Sequence, residues 1–298
     1  MIGNPEEKRP MEIQLTDKTV LVTGASTGIG HACAVGLAER GARVFAGVRK
    51  EKDFQRLAEA HEGVTPLYLD VTRAEQVSAA RETIAEAVGE SGLHGLVNNA
   101  GITVNGPMEF VSDDDLRWQF EVNLFGQFAL IRKLLPLIRP AKGRIVNIGS
   151  VSGRNAMPIF GPYSASKFAL RAASDSLRVE LYPQGVFVSL IEPGMIATAI
   201  WEKNMGEEEQ LRPQLSDEAE ALYGEQLDAL FNLSRQSARR AAPAEVIVKR
   251  VAHALTVKRP RAFYRAGPGS RQVIFLEGLP VRLRDWIIRR LIKSNSKG

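Results

Sequence analysis

Thr19-Val-Leu-Val22, running directly into Thr23-Gly-Ala-Ser-Thr-Gly-Ile-Gly30, is the stretch on which the fold turns. The first four residues are apolar or β-branched and predict a short buried strand. The residues after the glycines have the apolar spacing of a helix near 29–40. Between the two, Gly24, Gly28 and Gly30 fall in a G-x-x-x-G-x-G pattern. Glycines there permit a tight turn and let backbone N–H groups approach a pyrophosphate, while the helix N-terminus adds roughly half a positive charge. A glycine-rich turn can be purely structural, but its place between a first strand and a first helix points to a dinucleotide. Thr19 to Ala38 also holds twenty residues without a formal charge, the length of a membrane span. Gly, Ser and Thr break its apolar content into two blocks, which fits strand, turn and helix instead.

Outward from this stretch the alternation continues. Arg43-Val-Phe-Ala-Gly47, Thr65-Pro-Leu-Tyr-Leu69, Gly95-Leu-Val-Asn98, Arg144-Ile-Val-Asn-Ile148 and Val186-Phe-Val-Ser-Leu-Ile191 predict further strands, with helices near 73–89, 113–138 and 163–182. A helix resumes after Pro243, and Arg261-Ala-Phe-Tyr264 is a last strand candidate. Short apolar strands separated by helices suit an α/β fold, a Rossmann-like doubly wound parallel sheet with helices on both faces. Residues 1–14 then read as a loose leader, 15–265 as one catalytic domain with an acidic insert at 200–225, and 266–298 as a C-terminal extension.

Composition bounds the class. The 298 residues are 44% hydrophobic and 24% charged, ordinary for a globular chain with a sizeable core. Cys33 is the only cysteine, which excludes an internal disulfide and a cysteine-based zinc site, and four scattered histidines argue against a metal centre. The net charge of +5 is uneven. Thr256 to Gly298 carries eleven basic residues against Glu277 and Asp285, a local +9, leaving −4 over the first 255 residues. A nucleic-acid binder would spread its positive charge across the fold, so no nucleic-acid partner is expected. The polar opening, with two prolines, reads as neither signal nor anchor, and a cytoplasmic protein is expected.

The strand ends carry the candidate cofactor residues. The second strand ends in Val48-Arg49-Lys50, with no carboxylate to receive a ribose 2′-hydroxyl. Arg49 can clamp a phosphate through two parallel N–H bonds, which favours NADP(H) over NAD(H). The third strand ends in Leu69-Asp70-Val71, where Asp70 serves either the nucleotide or the start of the next helix. Asn98-Asn99-Ala100-Gly101 closes the fourth, and its amide side chains can tie adjacent loops.

The fifth strand ends at Gly149-Ser150, and thirteen residues later comes Tyr163-Ser-Ala-Ser-Lys167. Tyr163 and Lys167 share one helix face. A nearby ammonium and an oxidised nicotinamide ring both favour the phenolate, so the Tyr163 pKa is expected to fall from about 10. Tyr163 could then exchange a proton with a substrate oxygen to which Ser150 donates a hydrogen bond.

With these residues in order, the chain resembles the short-chain dehydrogenase/reductase family, in the form with a catalytic domain of about 250 residues. The matching set is Thr23-Gly24-x-x-x-Gly28-x-Gly30, Asp70, Asn98-Asn-Ala-Gly101, Asn123, Ser150, Tyr163-x-x-x-Lys167 and Pro193-Gly194-x-x-x-Thr198. The resemblance implies Tyr163 as catalytic acid/base, Ser150 as the group positioning the substrate oxygen, and Lys167 as a ligand of the nicotinamide ribose that lowers the Tyr163 pKa. Asn123 would hold a water linking Lys167 to solvent. Gly24, Ser26, Thr27, Gly28, Ile29 and Gly30 would receive the pyrophosphate, and Asp70 and Val71 would flank the adenine. Asn98, Ala100, Gly101, Pro193, Gly194, Ile196 and Thr198 would complete the cofactor site. Members that prefer NADP often carry a basic residue just before Gly28, where this chain has Thr27. NAD(H) therefore stays open beside NADP(H).

By the same resemblance, Val151 to Phe160 and the segment holding Met195, Ile196, Ile200, Trp201 and Met205 would line the substrate pocket, with 200–225 as a lid. These residues are large and mostly apolar, which suits a hydrophobic alcohol or ketone. Within them Arg154 points either outward or at a substrate head group. Tyr264-Arg-Ala-Gly267 and the extension are similar to the hydroxysteroid and retinol dehydrogenase branch, which implies steroid-like, retinoid or lipid carbonyls. The family also implies pairing of the helices holding Asn123 and Tyr163 into dimers or tetramers. Val281 to Lys293 has Leu283, Trp286, Ile287 and Leu291 at helical spacing among arginines, a basic amphipathic helix. Such a helix packs over the pocket mouth or a subunit interface, or touches a membrane surface. The competing function is a catalytically silent cofactor-binding scaffold, which would be expected to lack the tyrosine or the lysine.

Overall fold

In the computed structural model, which describes residues 14–197, 212 and 215–296, Thr19–Val22 (β1) is buried at every position. A central parallel strand, covered on both faces, requires this. β1 is flanked by Arg43–Val48 (β2) and Gly95–Asn98 (β4). The full sheet has seven parallel strands in the order β3-β2-β1-β4-β5-β6-β7, with Val64–Tyr68 as β3, Arg144–Ile148 as β5, Phe187–Pro193 as β6 and Phe263–Ala266 as β7. The winding reverses between β1 and β4, so a crevice opens at their carboxyl ends, where α/β sheets bind ligands. β3 lies at the sheet edge, which is why it tolerates Pro66.

Gly28–Ala38 (α1) and Glu245–Thr256 (α8) cover one face of the sheet. Ala74–Val88 (α3) and Gly126–Ile138 (α5) cover the other. Glu51–Ala60 (α2) was not expected from the sequence, because only Phe54 and Leu57 mark its buried side. The helix predicted over 113–138 is divided: Asp113–Phe120 (α4) and α5 are joined by a π turn at Glu121–Phe125. That turn points Asn123 at the backbone of Ile102, which it both donates to and accepts from.

Gly161–Leu181 (α6) follows β5. Asp217–Ala238 (α7) runs straight through the expected end of the acidic insert at 225. The extension folds into Ser270–Glu277 (α9) and Val281–Asn295 (α10). The last packs on α7, where Ile292 joins a small third core of Ile159, Leu227, Leu230 and Phe231. Residues 1–13 of the leader, Thr198, Ile200, Trp201 and Met205 lie outside the described residues. Among the described residues no helix is long and apolar enough to cross a membrane.

Candidate active site

The turn after β1 is laced to the turn after β4. Thr23 Oγ1 accepts from the backbone N–H groups of Asn99 and Ala100, both at 3.0 Å, and Asn99 Nδ2 donates to the carbonyls of Thr23 and Gly24 at 3.0 and 3.1 Å. Gly24 has φ +62°, and a Cβ on Gly30 would stand 2.2 Å from the Gly24 carbonyl oxygen. Neither position can carry a side chain, so the turn closes tightly against the Asn99 loop, with Gly24 and Gly28 at the cavity wall where a pyrophosphate could be cradled. Gly24-Ala-Ser-Thr-Gly28 also has the G-x-S-x-G spelling of a hydrolase elbow. No histidine is hydrogen-bonded to Ser26 among the described residues, and its carbonyl accepts from Arg56.

A cavity of about 510 Å³ runs from this turn to the chemical residues. Gly24, Ser26, Thr27, Gly28, Ile29, Arg49, Asp70, Val71, Ala100 and Gly101 line its first half, and Ser150, Tyr163, Lys167, Pro193, Gly194 and Ile196 its second. The other expected residues stand back from the wall. Gly30 packs under the turn. Asn98 faces the sheet interior and donates to Asn147 Oδ1 on the neighbouring strand at 3.0 Å; its sequence neighbour Asn99 is the one at the wall. Asn123 is fully buried, donating to Ser166 Oγ at 3.1 Å and to the Ile102 carbonyl. Asp70 starts no helix: its Oδ1 accepts from the backbone and hydroxyl of Thr72, and its Oδ2 stands 3.9 Å from Arg49 Nη1.

At the chemical end, Lys167 Nζ donates to the Ile148 carbonyl at 2.9 Å and lies 5.7 Å from the centre of the Tyr163 ring. Burial brings the Lys167 ammonium down to about 8. Burial also pushes the Tyr163 phenol up, and its hydrogen bond with Ser150 pulls only part of the way back. The expected fall of the Tyr163 pKa is thus not met by the protein's own groups. Desolvation of a phenolate outweighs the Ser150 hydrogen bond.

Sequence reasoning missed most of the far wall, although it offered packing over the pocket mouth for the helix that carries Leu291. Leu230, Leu233, Ser234 and Ser237 come from α7, Val273 from α9 and Leu291 from α10. An apolar helix face shows that it is covered, not by what. Arg154 takes neither expected direction: it is 6% exposed and bonded to Glu192 and Glu277. In the same loop Ile159 is buried at φ +70°, a strained conformation for a β-branched residue. Among the described residues no histidine, cysteine and carboxylate cluster could hold a metal.

A profile of the short chain dehydrogenase family matches residues 18–209. The chain belongs to that family. Among its relatives, 17-beta-hydroxysteroid dehydrogenase type 6 of Bos taurus is 38% identical over 292 residues, covering 95% of this chain and 91% of the relative. Retinol dehydrogenase 7 of Rattus norvegicus is 36% identical over 288 residues, covering 94% and 90%. A solved short-chain dehydrogenase from Streptomyces avermitilis superposes with TM-score 0.74 at 26% identity, over 92% of this chain and 97% of the other. One from Burkholderia cenocepacia J2315, in complex with NADP, gives 0.70 at 27% identity, over 93% and 98%. This short-chain dehydrogenase is therefore an α/β oxidoreductase acting on CH–OH groups, with an NAD(P)-binding fold.

Proposed function

We propose that this short-chain dehydrogenase interconverts a bulky hydrophobic alcohol, secondary and steroid-like or of retinoid or other lipid type, with its carbonyl, using NADP(H). The observation that carries the reading is that Ser150, Tyr163 and Lys167 face one cavity with a bare glycine turn at one end and apolar walls at the other. The relatives named for hydroxysteroids and retinol support the substrate class. When bound, the nicotinamide supplies or takes up the hydride. Ser26, Thr27, Gly28 and Ile29 would hold its pyrophosphate, Arg49 a 2′-phosphate, and Asp70 and Val71 the adenine. NAD(H) is the second reading, favoured by the share of the Arg49 charge that Asp70 takes up.

Ser150 orients the substrate oxygen and Tyr163 moves the proton at that atom. Lys167, protonated below pH 8, holds positive charge beside the phenol. Because burial raises Tyr163, the phenol keeps its proton in the protein alone and parts with it only when further positive charge enters the cavity. A silent scaffold is not favoured, since tyrosine and lysine are both present at the wall.

Two partner readings accompany this. Val281, Leu283 and Trp286 are exposed on α10 among Arg282, Arg284 and Arg289, which supports contact with an anionic membrane surface. Trp118, Phe125 and Phe168 are exposed on the helices that hold Asn123 and Tyr163, which supports a homo-oligomer built on those helices.

Tyr163→Phe tests the reading. Turnover of all-trans-retinol or a 17β-hydroxysteroid should fall by about a thousandfold, with NADPH affinity by fluorescence titration unchanged. Retained turnover would remove Tyr163 from the acid/base role.

A further inference from the structure

Behind the cavity lies a charge network, buried at Arg154 and Glu192 and partly exposed at Arg171 and Glu277, that the proposed chemistry does not use. Arg154 Nε donates to Glu192 Oε1 at 2.6 Å and Arg154 Nη1 to Glu277 Oε2 at 2.6 Å, while Arg171 Nη1 donates to Glu277 Oε1 at 2.9 Å. Two cations thus meet two anions. Glu192 is 1% exposed and its Oε2 is buried without a hydrogen-bond partner, so its charge leans on Arg154. Both guanidinium groups also sit over the Phe263 ring, at 5.2 and 5.5 Å from its centre.

The addresses of the four residues give the network its meaning. Arg154 lies four residues after Ser150, in the loop that lines the cavity. Arg171 lies four residues after Lys167, one turn further along the same face of α6. Glu192 directly precedes Pro193. Each of these three segments supplies wall residues. Glu277 alone comes from the extension, and its two oxygens each take one arginine. A second tie runs beside it, from Asn155 Nδ2 to the carbonyl of Val273, a residue of the cavity wall.

We infer that Glu277 is a positioning residue: it fixes the Ser150 loop against the Tyr163 helix and fastens the extension as the outer wall of the substrate cavity. Without its carboxylate two guanidinium groups face each other over one ring with only Glu192 between them. The loop and α6 then separate, and α9 and α10 come loose with Val273 and Leu291. The inference rests on the proposed oxidoreductase reading only for what is being positioned.

The test compares wild type, Glu277→Gln and Glu277→Asp, all as full chains with NADPH bound. Amide hydrogen exchange is measured by mass spectrometry over 150–171 and 270–295, and KM and kcat with all-trans-retinol and a 17β-hydroxysteroid. In the glutamine variant exchange in both segments should quicken by about tenfold while residues 19–48 stay as they were. KM should rise by about tenfold with kcat and NADPH affinity held, and the aspartate variant should recover most of both effects. Unchanged exchange, or a lower Tm with no change in KM, would overturn the inference. Arg171→Gln, which keeps both Arg154 pairs and cuts only the tie from Glu277 to α6, replaces Glu277→Gln if that variant does not fold: exchange over 150–171 should quicken and KM rise while 270–295 stays as it was, and unchanged exchange over 150–171 would overturn the inference. If wild type turns over neither alcohol, the proposed substrate class fails on its own. The exchange at 150–171 then decides the coupling, faster in the variant for it and unchanged against it.

Discussion

Lys167 and Arg154 are both buried cations at the back of one cavity, and the protein treats them in opposite ways. Arg154 has two carboxylates within 2.6 Å, and burial leaves its charge intact. Lys167 has a single carbonyl at 2.9 Å and no acidic partner among the described residues, and burial lowers it to about 8. A buried cation that is fully paired is a structural fixture. One left without a counter-charge costs the fold, and chemistry is the reason to keep it.

Replacing each cation tests that contrast. Lys167→Met should lower turnover by about a thousandfold, yet raise unfolding free energy at pH 7 by about 1–3 kcal/mol. The sign follows from the order of the two pKa values. Below pH 8 both folded and unfolded chains hold the proton, so the penalty is fully present. Between 8 and 10.5 only the unfolded chain holds it, so wild type gains stability with rising pH and the variant's advantage disappears. Urea denaturation at pH 7 and pH 10 measures both ends, and a variant less stable at pH 7 would end the contrast. Arg154→Met should do the reverse and lose about 3–5 kcal/mol, because Glu192, 1% exposed, is left buried and uncompensated while Glu277 keeps Arg171. A neutral result in the same denaturation series would mean that water already reaches Glu192.

Two exposed cations sharpen the scale. Arg49 is 55% exposed at the cavity rim. Arg49→Ala should weaken NADPH binding by about tenfold and leave NADH binding unchanged, in titrations at low salt. Equal losses for both would assign the arginine to the adenosine rather than to a 2′-phosphate. Arg117, 71% exposed and 3.0 Å from Asp113, is the control: Arg117→Ala should change stability by less than about 0.5 kcal/mol in urea.

What could be read from sequence follows from distance along the chain. The glycine turn, the Tyr163–Lys167 pair and the strand ends are local patterns in which neighbours in sequence are neighbours in space. They place most of the cofactor wall. Asn98 and Asn99 mark the limit of such reading, since side chains alternate along a strand and only the register with Asn147 decides which one faces inward. Arg154 and Glu277 are separated by 123 residues, and nothing local in either announces the other. Leu230 and Leu291 are legible as apolar helical positions, but their common cavity exists only once α7 and α10 have packed.

Pro66 has a consequence for how the protein behaves at high concentration. It lies on the edge strand β3, paired on one side with Ala46. Lacking an N–H, it interrupts the row of donors that a second molecule would need in order to add a strand there. A strand added at that margin would lack one of its ladder hydrogen bonds, which weakens growth of the sheet there.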